Sequence, residues 1–161
     1  MTIFLIGFPG NGQEKIGKDM ADFLDYRFID VEDLFLNTYK KSFIDYFKES
    51  NKDCIDSLIS LLVMTSKMID LNGEDVVFSM IRGYRPNNTL SALMKQLGKV
   101  LYVENKDWMN NVDDPQKYYV LCSFTNKCIK EHAGKYLEPT LDEYYRKSAD
   151  LVISKWNKWN L

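Results

Sequence analysis

An unbroken apolar run, TIFLI, leads into the glycine-punctuated stretch GFPGNG and from there into QEKIGKDMADFL, which has helical spacing. A short strand that is apolar at every position belongs inside a parallel sheet, where both faces are buried. Gly7, Gly10 and Gly12 suit the tight turn between strand and helix, because glycine enters left-handed backbone without steric cost. Their spacing, G-x-x-x-x-G, is that of a phosphate-binding loop opening on a helix N-terminus. Lys and then Ser or Thr ordinarily come next. Here Gln13 and Glu14 stand in those places.

The rest of the chain keeps alternating. Glu14–Leu24 puts Ile16, Met20, Phe23 and Leu24 at helical spacing, and a second strand, Arg27–Ile29, is closed by the acidic run Asp30-Val31-Glu32-Asp33. Phe35 to Phe47 reads as two short helices broken near Ser42, with Tyr39, Phe43, Tyr46 and Phe47 as packing aromatics. The strongest helical pattern runs from Cys54 to Leu71, with Ile55, Leu58, Ile59, Leu62 and Ile69 on one face and Asn72-Gly73 as its stop. Further strands are expected at Asp75–Met80, Val100–Val103 and Asp150–Ile153, and further helices at Thr89–Leu97, Tyr118–His132 and Leu141–Lys147. Asn105–Pro115 is polar and irregular. Five strands alternating with helices predict one α/β domain over residues 1–161, layered around a five-stranded parallel sheet.

Composition narrows the function classes. A hydrophobic fraction of 45% and a charged fraction of 27% are those of a globular chain. A formal net charge of -2 argues against a general nucleic-acid binder. No apolar run reaches the roughly 18 residues of a membrane span, and MTIFLIGF is too short for a secretory leader, so a cytoplasmic protein is expected. Cys54, Cys122 and Cys128 form no CxxC pair, and with the single His132 they do not suggest a zinc site; buried free thiols are expected. Ser79 and His132 have no visible nucleophile–base partners. Tyr144 and Tyr145 read as packing residues, and Trp156 and Trp159 as a terminal anchor or partner surface.

Both ends of the chain resemble the shikimate kinases, small-molecule kinases of the P-loop group. IFLIGFPGNG is similar to that family's first strand and loop, and KIGKDMADFLDYRFIDVEDLF follows its first helix and second strand without a gap. SFIDYFKE resembles the start of its substrate-binding helical region, and LDEYYRKSADLVIS its last helix and strand. The resemblance implies a three-layer α/β/α P-loop kinase fold, ATP and magnesium if the site is functional, and a lid, of which residues 105–117 would be a reduced form. In such kinases the loop lysine contacts the β- and γ-phosphates, and the following hydroxyl holds magnesium. The cofactor-binding positions carried over are Gly7, Gly10, Asn11, Gly12, Gln13, Glu14 and Lys15. Gln13 can donate a hydrogen bond but brings no charge. Glu14 could ligate magnesium, yet it sets a negative charge where a triphosphate would lie. Lys15 does not replace the missing lysine, because two helical positions turn its side chain about 200° from that of Gln13.

Asp30 and Glu32 match the family's D-x-D element, whose first acid lies near magnesium and whose second binds substrate hydroxyls. Asp30 is thus the carried-over catalytic candidate, and Glu14 with Asp30 the candidate metal pair. An N-cap at Asp30 or Asp33 explains the same acids without chemistry. The arginines depart from the family. Ungapped counting puts two of its carboxylate-binding arginines at Asp56 and Leu141, its lid Arg-Pro element is absent between Asn105 and Tyr118, and Met80-Ile81-Arg82 stands near its glycine triplet. Only Arg27, Arg82, Arg85 and Arg146 exist. Arg82 and Arg85 follow the third strand, where open α/β sheets bind ligands, so with Glu32 they are the candidate substrate contacts. SMIRGYRP also faintly resembles the PYR segment of adenylylsulfate kinases.

The loop letters also fit a site without nucleotide. Asn11 is a good N-cap, Glu14 stands near capping-box spacing, and Glu14 and Lys18 form an i,i+4 pair, so an internal carboxylate could replace bound phosphate. Three functions follow. The first is a shikimate-kinase-like protein that has lost phosphoryl transfer and binds an unknown small molecule or protein. The second is an active kinase or hydrolase in which Glu14 and Asp30 hold magnesium and Arg82 or Arg85 supplies the missing charge. The third is a nucleotide binder without catalysis.

Overall fold

The computed structural model describes residues 1–112 and 138–154. Five strands form one parallel sheet: β1 (Thr2–Ile6), β2 (Arg27–Asp30), β3 (Val76–Ser79), β4 (Lys99–Val103) and β5 (Leu151–Ile153). Their order is β2-β3-β1-β4-β5, which puts β1 at the centre. The register sets Leu5 beside Ser79 on one side and beside Leu101 on the other. The described helices are α1 (Gln13–Leu24), α2 (Val31–Tyr39), α3 (Phe43–Glu49), α4 (Asn51–Leu71), α5 (Asn88–Leu97) and α6 (Glu138–Ser148). The expected helix Tyr118–His132, with Cys122 and Cys128, lies outside the described residues, as do Trp156 and Trp159.

Alternate residues of the central strands point to opposite faces, and each face has its own core. Ile3, Leu5, Val77, Leu101 and Val103 meet Met20 and Ala21 of α1. Phe4, Ile6, Phe78, Val100 and Tyr102 meet the apolar sides of α2, α3, α4, α5 and α6. The expected layering is thus present, with helices on both sides of the sheet. In α1 the buried side is set by Gln13, Gly17, Met20 and Ala21, whereas Phe23, expected among the apolar positions, is half exposed. Gly17 and Ala21 let α1 sit close to the sheet, and that approach selects the buried face.

Caps define the other helices. Asp30 Oδ1 accepts from Glu32 N at the start of α2, so Asp30 and not Asp33 is the N-cap. Ser42 divides α2 from α3 as expected and accepts from Asp45 N, and Ser50 accepts from Asp53 N at the start of α4. Each such cap is worth about 1 kcal/mol. Gly73 takes a left-handed φ of 66° just past α4, the stop that Asn72-Gly73 announces. The stretch expected to be irregular after β4 contains a 3-10 turn, Trp108–Asn111, because Trp108 is buried and stacks on Phe8 with ring centroids 4.9 Å apart.

A Cβ built on Gly17 would stand 2.5 Å from Phe28 Cε2 and 3.1 Å from Leu5 Cδ1. Gly17→Val should therefore push α1 off the sheet and destabilise the fold by about 1–3 kcal/mol, read as a lower urea midpoint. An unchanged midpoint would contradict the close helix–sheet contact.

Candidate functional site

The loop between β1 and α1 lies at the carboxyl edge of the sheet, flanked by the ends of β3 and β4. It turns through left-handed glycines: Gly10 has φ 70° and Gly12 has φ 81°. Its outer side is held by long-range bonds. Gly83 N donates to Gly7 O at 2.8 Å, and Asn111 Nδ2 donates to Gly10 O at 2.9 Å. Gly12, not Asn11, is the N-cap of α1. Asn11 stands one residue earlier because the chain enters the helix through a left-handed glycine. From there its buried amide accepts from Gln13 N at 3.0 Å and donates to Val103 O at 3.0 Å.

Gln13, at the lysine position, is 1% exposed. Its side-chain amide is hydrogen-bonded within the protein at every polar atom. Nε2 donates to Ser79 Oγ at 2.9 Å and to Met80 O at 3.0 Å, and Oε1 accepts from Asn11 Nδ2 at 3.3 Å. Both amide protons are spent, which is what a buried amide requires. Ser79, which sequence reading left without a partner, is one end of this network. Its link to Gln13 spans 66 positions, and no local pattern announces it.

A cavity of about 450 Å³ opens over the loop, lined by residues from Gly10 to Lys15 together with Lys18, Asp19 and Arg82. Each cation on its wall already faces a carboxylate. Lys15 Nζ lies 2.9 Å from Asp19 Oδ2, and Lys18 Nζ lies 2.8 Å from Glu14 Oε1. Glu14 thus makes the expected i,i+4 pair and no capping-box contact. The Lys18 hydrogen bond holds the Glu14 carboxyl below its usual range, so the cavity keeps that negative charge.

The third cation, Arg82, is gripped by the acidic element after β2. Its Nη2 lies 2.7 Å from Glu32 Oε2 and 3.6 Å from Asp30 Oδ2. Nε donates to Glu32 Oε1 at 3.3 Å, and the Arg82 backbone N–H donates to the same oxygen at 2.9 Å. Burial opposes the Arg82 charge, but the Glu32 hydrogen bond and the neighbouring carboxylates more than offset it and raise its pKa. A second cavity, of about 250 Å³, lies beside this cluster between Glu32, Phe43, Ile81 and Arg82. Arg82 therefore forms part of both walls.

The structure brings the glycine loop, Gln13, Glu14, Lys15 and Arg82 around one cavity, and sets Asp30 and Glu32 on Arg82. Arg85 is not with them. It is exposed, and its guanidinium lies 4.6 Å from the Tyr144 ring centre in a different cavity. Among the described residues no group of three or more His, Cys, Asp or Glu side chains converges as a metal site would. Cys54 is buried and its thiol is pushed up to about 12 by that burial. No described helix is long and apolar enough to cross a membrane.

No family model matches the chain. A shikimate kinase of Chlamydia pneumoniae is 28% identical over 102 residues, 58% of this chain and 57% of that protein. A shikimate kinase of Alkaliphilus oremlandii is 30% identical over 112 residues, 64% of this chain and 59% of that protein. The chain thus spans less than two thirds of these curated relatives. The crystal structure of shikimate kinase from Aquifex aeolicus matches with a TM-score of 0.69 and 19% identity, covering 99% of this chain and 90% of that one. Shikimate kinases are this chain's homologues in sequence and its neighbours in structure, and its fold is that of the P-loop kinases.

Burial raises the Asp30 carboxyl above its ordinary 3.8, against the pull of Arg82. Between the unfolded and the folded pKa the native state holds the extra proton, so this group's contribution to stability falls as pH rises through that window. Asn at this position keeps the capping acceptor and cannot ionise. Asp30→Asn should gain on wild type as pH is raised from below 3.8 towards neutrality, followed by urea midpoints across the range. Parallel curves would contradict a buried, charge-penalised Asp30.

Proposed function

From its kinship with the shikimate kinases, we propose that this protein is a P-loop kinase relative that has lost ordinary ATP-dependent phosphoryl transfer and persists as a binding or regulatory protein. The observation that carries this reading is the Gln13 side chain, neutral, buried and fully hydrogen-bonded to Ser79, Met80 and Asn11. The family's lysine would project a charge onto the phosphates from that position. Phosphoryl transfer rests on positioning and on stabilising the charge of the transferring group, and a single well-placed cation contributes about 10³-fold or more. No lining cation takes over the role, because Lys15, Lys18 and Arg82 each face a carboxylate of this chain.

The substrate side supports the same reading. Glu32, which by resemblance would bind substrate hydroxyls, holds Arg82 through both carboxylate oxygens. Ile81 is 4% exposed where the family has its glycine triplet, so a buried side chain fills space that glycine leaves open. The carboxylates that could take magnesium fit it poorly: Glu14 is engaged by Lys18, and Asp30 lies beside Arg82.

A second reading, nucleotide binding without transfer, is favoured by the retained left-handed loop and its cavity. Because Glu14 stays ionised, it implies that AMP or ADP binds better than ATP.

Calorimetric titration with ATP, ADP and AMP, with and without magnesium, tests both readings. Wild type is expected to show no magnesium-dependent gain for ATP, and single-turnover assays to show no transfer to shikimate. The double variant Gln13→Lys, Glu14→Ser is expected to strengthen ATP binding about tenfold or more, the scale of a charge-assisted contact. Magnesium-dependent transfer by wild type at enzyme-like rates would overturn the proposal.

A further inference from the structure

The chain holds two Asn-Gly pairs, Asn11-Gly12 and Asn72-Gly73. Such a pair has a reactivity of its own. With no side chain on the glycine, its backbone nitrogen can reach and attack the side-chain carbonyl of the asparagine before it. The fold treats the two pairs in opposite ways.

Asn11 is 3% exposed, and its amide is committed at both ends. Oδ1 accepts from Gln13 N, while Nδ2 donates to Val103 O and to Gln13 Oε1. Turning its carbonyl onto Gly12 N would break that network. Asn72 lies just before β3, at the edge of the sheet away from the loop. It ends α4 in a turn of three backbone bonds: Asn72 N donates to Met68 O at 3.1 Å, Gly73 N to Asp70 O at 3.0 Å, and Glu74 N to Ile69 O at 3.1 Å. The last two, with Gly73 at φ 66°, make a glycine-terminated helix end. Residues 70–75 are all exposed, and a Cβ on Gly73 would meet nothing within 4 Å. The Asn72 side chain has no hydrogen bond among the described residues. Only the backbone turn keeps Gly73 N from the Asn72 side chain, and the last turn of a helix is where such bonds open first.

We propose that Asn72 is a site of spontaneous deamidation, gated by the opening of the last turn of α4, and that the loop network protects Asn11. When the turn opens, Gly73 N gives up its proton to base and attacks Asn72 Cγ. The new bond closes a five-membered succinimide, and the Cγ–Nδ2 bond breaks with Nδ2 leaving as ammonia. Water then opens the ring at either carbonyl. One product is aspartate. The other is isoaspartate, whose main chain runs through the former side chain and is longer by one carbon. Nothing is oxidised or reduced, and water is the only co-reactant. The new carboxylate joins Asp70, Glu74 and Asp75 at the negative end of a helix with no basic residue in its last turn. Arg27, the nearby cation, already pairs with Glu74 at 3.8 Å. The modification therefore loosens the turn that gates it.

Trypsin separates the two pairs, because Met68–Arg82 carries Asn72 and Met1–Lys15 carries Asn11, neither with an internal Lys or Arg. The whole folded chain is incubated at mildly alkaline pH and digested at intervals, with synthetic Met68–Arg82 as the unstructured reference. Mass spectrometry follows the gain from amide to acid. Met68–Arg82 is expected to convert several-fold more slowly in the folded chain than as a free peptide, while Met1–Lys15 stays unchanged. Asn72→Gln should abolish the conversion, since attack would then need a six-membered ring. No conversion at Asn72 while the free peptide converts completely would overturn the site. Conversion as fast as in the free peptide would overturn the gating, and equal conversion of Asn11 in the folded chain would overturn its protection. In urea Met1–Lys15 should convert as well; its silence there would show that the fold is not what protects it. Asn72→Asp should lower the urea midpoint at neutral pH more than Asn72→Gln does, and equal midpoints would overturn the loosening of the turn.

Discussion

The Gln13 side chain crosses from the first turn of α1 to the end of β3, and its two amide protons end on Ser79 Oγ and Met80 O. Together with the Asn11 amide, which reaches Val103 O at the end of β4, it stitches the loop to the strands on either side of β1. In an open parallel sheet this crevice is where ligands bind, because the connections diverge and the strand ends leave a gap. Here the gap is bridged by the chain itself. A buried amide with both protons satisfied is stable in that setting. An ammonium at the same depth would need a compensating charge, since its desolvation costs several kcal/mol.

The same internal satisfaction governs the charges. Lys15, Lys18 and Arg82 lie on one cavity wall, but Asp19, Glu14 and Glu32 stand at hydrogen-bonding distance from them. The two lysine pairs are exposed, screened by water and salt, and weak. The Arg82 cluster differs. Its guanidinium is 19% exposed, and one Glu32 oxygen takes both the Nε and the backbone N–H of Arg82. That contact fixes the loop after β3 against the start of α2. An incoming anion would have to displace it, whereas it could displace the lysine pairs at little cost.

What the sequence made legible was local. The apolar run before Gly7, the periodicity of α4, the Ser42 break, the Asp30 cap and the Glu14–Lys18 pair all depend on residues within a few positions of one another. The unread part depends on distant partners or on single backbone angles. Gln13 is a plausible outward-facing donor until Ser79 and Met80 are placed beside it. Asn11 has the chemistry of an N-cap, yet the left-handed Gly12 takes that position and shifts Asn11 back by one. Arg82 and Arg85 are three residues apart and read as one basic loop, but Gly83 between them has φ 78°, and the two side chains end in separate cavities.

That separation shows backbone shape and side-chain charge being set independently at the same edge of the sheet. Backbone geometry at the loop rests on glycines and on bonds to Gly83 and Asn111, none of which involves a charged group, so its shape is held by the chain itself. Electrostatics depends on individual side chains, and at the crevice these are neutralised in pairs or replaced by an amide. The charges on the crevice wall are thereby met within the chain, while the crevice remains open in volume. On the other side of Gly83 the arrangement differs: the Arg85 guanidinium lies over the Tyr144 ring and pairs with no carboxylate among the described residues.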